Sequence, residues 1–238
     1  LLAFAPKFSG EQVFIDPSRD KLLPLPHNKK EVEQILTSFD GDSFIYENAT
    51  LQNFTNELSN FSVIHLATHA VFNDKLPEYS YLAFSATDDK ENLLYVSDLY
   101  NLQINADMIT LSACESGIGE LKRGEGFLSL ARGFFYSGAS SIASTLWKIN
   151  DASTSNLMDA FYKNLAFGDT KDLALQKAKK NFLATNSQNG LSHPYYWSGF
   201  IVSGNTRPLT TFVHWYWYVL GSILLIASGW ILYSKKFA

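Results

Sequence analysis

Cys114 is the only cysteine in the chain, and it stands in the segment LSACESG, residues 111–117. A thiol attacks a carbonyl only as the thiolate, and little of an unperturbed thiol is ionised at neutral pH, so a neighbouring base must take its proton. His69, at the end of the HLATH run 65–69, is the residue type for that work. The oxyanion formed on attack needs fixed donors, for which the backbone N–H groups of Cys114 and Ala70 are the candidates. A lone cysteine excludes an internal disulfide and a cysteine-rich zinc site. The chemistry calls for no metal and no organic cofactor.

Other polar residues fall near the same place. Glu115 follows the cysteine directly, and Trp147 and Asp151 follow a later apolar run. These three form a candidate substrate pocket, in which Asp151 would favour a basic side chain before the cleaved bond. The simpler reading of Asp151 is a helix N-terminal residue ahead of Ala152 and Ser153. His65 and His69 have the spacing of a zinc pair on a helix, but no glutamate follows His65 and the run is strand-like, so His65 is read as core. The stretch GIGELKRGEG at 117–126 has paired glycines but lacks the Lys and Ser or Thr of a phosphate loop, which argues against a nucleotide-binding domain.

The elements that must position these residues follow from periodicity. Residues 61–66 (FSVIHL), 108–113 (MITLSA) and 140–146 (SSIASTL) are apolar, β-branched runs typical of strands buried on both faces of a parallel sheet. His69 and Cys114 stand just past the first two, at the carboxyl rim where ligands gather in open α/β sheets. Apolar spacings of three and four predict helices over 28–39, 50–58, 126–136, 153–165 and 171–183, with a short strand at 44–46 and a last one at 197–202. Alternating strands and helices specify an α/β domain, a mainly parallel sheet covered on both faces. Four prolines within residues 1–26 suggest an irregular lead-in with an entry strand near 12–15. The expected organisation is a linker or tail of an upstream region over 1–22, the α/β domain over 23–206, and a membrane anchor with a short basic tail over 207–238.

The anchor rests on an uncharged C-terminal stretch. No Asp, Glu, Lys or Arg occurs over 208–234, and the segment bounded by Phe212 and Tyr233 would reach about 33 Å as a helix, enough to cross a bilayer core. Trp215 to Tyr218 at one end, with Trp230 and Tyr233 at the other, match interfacial aromatic belts, which makes the lipid bilayer an expected partner and a single-pass membrane protein the expected localisation. Lys235 and Lys236 lean toward a cytoplasmic tail with the domain on the outer side. A net charge of −4 provides no electrostatic footprint for nucleic acid. The chain opens at Leu1 with no signal-peptide pattern, so it reads as the C-terminal piece of something longer.

Taken together, the segments resemble the CHAT domain family, a branch of the caspase-like and separase-like cysteine peptidases often found after tetratricopeptide repeats. The matching pieces are Leu25-Pro26 with Glu31-Val32, HLATHA at 65–70, LSACESG at 111–117, GEGFLSLARGFFYSGA at 124–139, STLWKIND at 144–151, FYKNL at 161–165 and HPYYWSGFIVSG at 193–204. The resemblance implies a caspase-like three-layer α/β/α sandwich, with a dyad that carries over to His69 and Cys114. Their separation of 45 residues is near the roughly 50 found in caspases. Ser116 stands where the family more often has Thr. The resemblance also implies an upstream repeat region and a regulatory protein partner.

The reading is a membrane-anchored, caspase-like cysteine endopeptidase acting on a protein or peptide substrate in regulated signalling or defence, bacterial signalling included. Its alternative is a signalling or interaction module that keeps the CHAT fold without cleaving.

Overall fold

Apolar runs of four or five residues make the central strands of the larger sheet, and their two faces bury against two sets of helices. The computed structural model describes residues 1–8, 22–86, 92–112, 114–115, 125–147, 149, 151–188 and 190–209. A six-stranded sheet comprises β1 (Leu2–Pro6), β2 (Asp42–Tyr46), β3 (Val63–Leu66), β7 (Met108–Leu111), β9 (Ser141–Thr145) and β10 (Phe200–Gly204). Its order is β10-β9-β7-β3-β1-β2, with β10 antiparallel to β9 and every other pairing parallel. A four-stranded sheet of β4 (His69–Val71), β5 (Tyr81–Ala83), β6 (Leu93–Tyr95) and β8 (Cys114–Glu115) runs in the order β6-β5-β4-β8.

Because side chains alternate along a strand, the large sheet sorts its residues cleanly. Leu2, Phe4, Ile64, Leu66, Ile109 and Ile142 bury with α2 (Leu51–Glu57), α3 (Val96–Leu99) and α4 (Glu125–Tyr136). Val63, Met108 and Ala143 bury with α1 (Asn28–Leu36), α5 (Asp151–Ala166) and α6 (Lys171–Thr185). Helices therefore cover both faces of a mainly parallel sheet. Residues 28–36 are helical and 37–39 are not, a shift of a few residues from the expected end. Thr50 accepts a hydrogen bond from the Asn53 N–H at 3.2 Å, fixing the start of α2.

Three expectations are corrected. Residues 1–22 are not a linker throughout, because β1 lies inside the sheet between β3 and β2. The prolines concealed it: Pro6 is its last residue, where a lost N–H is tolerated, while Phe4 stacks on Phe44 at 5.0 Å and meets Phe54 edge-on at 5.6 Å. The entry strand proposed near 12–15 lies outside the described residues. The last strand begins at Phe200 rather than at 197, since Pro194–Tyr196 forms a 3-10 turn that carries the chain up to it.

The expected single-pass membrane localisation is also overturned. No helix among the described residues is long and apolar enough to cross a membrane, and the segment 212–233 lies outside them. The expectation of a single-pass membrane protein rests on sequence alone, on an uncharged stretch of spanning length with aromatic ends, and no described helix supplies the span.

One polar chain crosses the α1/α5 face. His65, on β3, directs Nε2 to the Glu31 carboxylate at 2.8 Å and Nδ1 to the Tyr162 hydroxyl at 3.1 Å, and that hydroxyl lies 2.8 Å from Thr110 Oγ1. All four residues are buried. Burial holds the Tyr162 phenol above the ordinary tyrosine range, a rise the Thr110 hydrogen bond only partly offsets, so the hydroxyl stays protonated. Tyr162→Phe leaves His65 Nδ1 without its partner and is expected to lower the unfolding free energy by about 1–3 kcal/mol in urea titrations.

Candidate active site

The two strands that lead to the site are neighbours twice. In the large sheet Leu66 on β3 pairs with Leu111 on β7, and in the small sheet His69 on β4 pairs with Cys114 on β8. Each chain takes three residues to pass from one sheet to the next, so the parallel register survives the crossing. His69 and Cys114 are therefore opposite one another on adjacent strands, which lie about 4.8 Å apart. Ala70 pairs with Glu115 one step further on.

The surroundings hold β4 from both sides. It is an interior strand, flanked by β5 and β8, and Ala70 is fully buried there. Thr68 Oγ1 donates to the Ala83 carbonyl, tying the β3–β4 link to β5. Beneath the small sheet Phe8 and Leu22 pack with Tyr81, Ala83 and Leu93.

His69 is 4% exposed, and its ring is held on two sides. Nε2 lies 2.7 Å from the Leu23 carbonyl oxygen. A carbonyl can only accept, so Nε2 carries the proton, and in the neutral imidazole Nδ1 is left with the lone pair. Phe8 meets the ring edge-on with centroids 4.7 Å apart, which restricts its rotation. The arrangement yields an imidazole of defined tautomer whose basic nitrogen is Nδ1.

The remaining expected residues are distributed as follows. Trp147 lies just past β9 and donates its Nε1–H to the Tyr195 carbonyl at 3.0 Å. Its indole also presses on Gly199, where a Cβ would come within 2.8 Å of the ring. Asp151 is the first residue of α5, the position of a helix N-terminal residue. Glu115 is the partner of Ala70 on β8, whereas Trp147 and Asp151 are delivered by the β9–α5 connection. Both nitrogens of His65 are engaged by Glu31 and Tyr162, so it belongs to the core as expected. Among the described residues no group of His, Cys, Asp and Glu could hold a metal ion. Of the glycine-rich stretch 117–126, residues 117–124 lie outside the described residues.

Two contributors were missed by the sequence reading, the Leu23 carbonyl and the Phe8 ring. Every residue has a carbonyl, so nothing in residue type could single out Leu23. Only the proline that follows it hints at an extended, projecting backbone. With Nε2 bonded in this way, nitrogen-15 NMR of the neutral protein is expected to report the Nε2–H tautomer for His69, and a predominant Nδ1–H form would contradict the geometry.

Comparison with known proteins adds to this geometry. A model of the CHAT domain family matches residues 5–205. Tetratricopeptide repeat protein 28 of Mus musculus and that of Homo sapiens are 29% and 28% identical over 122 residues, 51% of this chain and 5% of theirs. The chain thus spans about a twentieth of the length of these curated relatives. Among solved structures, the crystal structure of the Arg-specific cysteine proteinase gingipain R is similar with a TM-score of 0.52 and 13% identity, over 88% of this chain and 46% of that one. At that identity the likeness is one of fold.

Proposed function

We propose, because this chain belongs to the CHAT domain family, that it is a cysteine endopeptidase domain in which His69 and Cys114 act as the catalytic pair. The observation that carries the reading is the parallel pairing of β4 with β8, which makes the two positions register partners. The held ring of His69 supports it further.

In this mechanism His69 Nδ1 takes the proton of Cys114 Sγ, and the thiolate attacks the scissile carbonyl carbon. A carbon–sulfur bond forms, and the carbonyl π electrons move to oxygen. Backbone N–H groups of Cys114 and Ala70 receive the oxyanion. As the carbon–nitrogen bond breaks, the leaving amine takes the proton back from Nδ1. Water then hydrolyses the thioester with the imidazole as base. Throughout, the Leu23 carbonyl accepts from Nε2–H and stabilises the imidazolium, much as a carboxylate does in other hydrolases.

Glu115, Trp147 and Asp151 are proposed to line the substrate pocket, with Asp151 favouring a basic side chain. An upstream repeat region is proposed to bring a regulatory partner, a reading supported by the tetratricopeptide repeats in the names of the relatives.

Labelling by a thiol-directed activity probe, together with turnover of a peptide library, tests the pair. Cys114→Ala is expected to abolish both, and His69→Ala to cut kcat by about a hundredfold to ten-thousandfold, the usual contribution of a general base. No labelling of the wild-type protein, with its partners supplied, would leave the non-cleaving module as the reading.

A further inference from the structure

The Leu23 carbonyl holds the Nε2–H of His69, and a backbone carbonyl is only as well placed as the segment that carries it. That segment is the short arm from Leu23 to His27. Leu23 and Leu25 each precede a proline, which keeps both in extended backbone and leaves the arm little freedom. At its near end Leu22 is 1% exposed and packs with Phe8 under the small sheet. At its far end stands Asn28, which is 2% exposed.

Asn28 opens α1, yet its side chain does not cap that helix in the usual way. Its Oδ1 accepts from the N–H of the next residue, Lys29, at 2.7 Å, whereas a cap accepts from two or three residues on. Its Nδ2 donates outward instead, to the Pro6 carbonyl at 2.7 Å and the Ala67 carbonyl at 3.3 Å. Pro6 ends β1, and Ala67 lies two residues before His69. These contacts close a ring: from the His69 imidazole to the Leu23 carbonyl, along the proline arm to Asn28, across to Ala67, and back to His69.

We infer that Asn28 is a positioning residue for His69, fixing the Leu23 carbonyl against Nε2 by pinning the far end of the arm to the end of β1 and to the β3–β4 link that leads into the histidine. The inference rests on the peptidase reading for its effect on turnover, but not for its effect on the ring. Asn28→Asp conserves shape while replacing both N–H donors with an oxygen that faces two carbonyl oxygens, so the arm releases.

The test is made on the full chain with two readouts, steady-state kinetics and the nitrogen-15 tautomer signal of His69. In Asn28→Asp, kcat is expected to fall by about tenfold to a hundredfold, with KM within about twofold, and the single Nε2–H tautomer is expected to become a mixture. If wild-type turnover and tautomer both persist in the variant, the inference is overturned and the peptidase reading stands. If the wild-type protein cleaves nothing but the tautomer still changes in Asn28→Asp, the positioning role stands and the peptidase reading falls. Should Asn28→Asp fail to fold, Pro24→Gly loosens the same arm without touching the buried amide. It is then judged by the same two readouts, with unchanged values overturning the inference.

Discussion

Parallel pairing between the chain segment holding β3 and β4 and the one holding β7 and β8 is the constraint on which the rest of the molecule depends. In parallel neighbours the hydrogen bonds are evenly spaced, so a register set at one point is carried along the pair. Here it is set in the dry middle of the large sheet, where Leu66 and Leu111 are buried against α2, α3 and α4. A slip by one residue would turn Ile64 and Leu66 toward the opposite face and bring His65 toward Phe4, Phe54 and Phe84, away from Glu31 and Tyr162. The same slip would separate His69 from Cys114. Core packing and the candidate site are thus enforced by one alignment.

The buried polar chain on the other face works in the same direction. His65 can lie on a strand covered on both sides only because Glu31 and Tyr162 satisfy its two nitrogens. Those partners come from α1 and α5, so the network ties both helices to β3 at a defined height. That tie matters for the proposed function because α1 begins with Asn28, at the end of the arm that supplies the Leu23 carbonyl. The helices on this face thereby set the height of the arm whose Leu23 carbonyl meets the His69 ring.

The two sheets divide the labour. The large sheet is covered on both faces by the two largest apolar clusters, while the small one is built from strands of two or three residues and carries the candidate pair on adjoining strands. Short strands contribute little stability alone. Thr68 and the apolar cluster around Phe8 hold the small sheet in place, and its geometry is inherited from the larger one.

The sequence by itself determined the class of the fold and the pair of residues on which chemistry is proposed. Apolar, β-branched runs cannot be exposed, and their alternation with amphipathic helices leaves few architectures besides a covered parallel sheet. A single cysteine and a histidine just past two such runs then point to one rim. What only the tertiary structure decided depends on non-local hydrogen bonding. The strand at Leu2–Pro6 was hidden by prolines, and its place in the sheet comes from partners some 40 to 60 residues away. The small sheet consists of segments too short for periodicity to register. The Leu23 carbonyl has no residue-type signature at all. His69 and Cys114, which composition could nominate only as types, became register partners because two strands cross between sheets with equal three-residue steps.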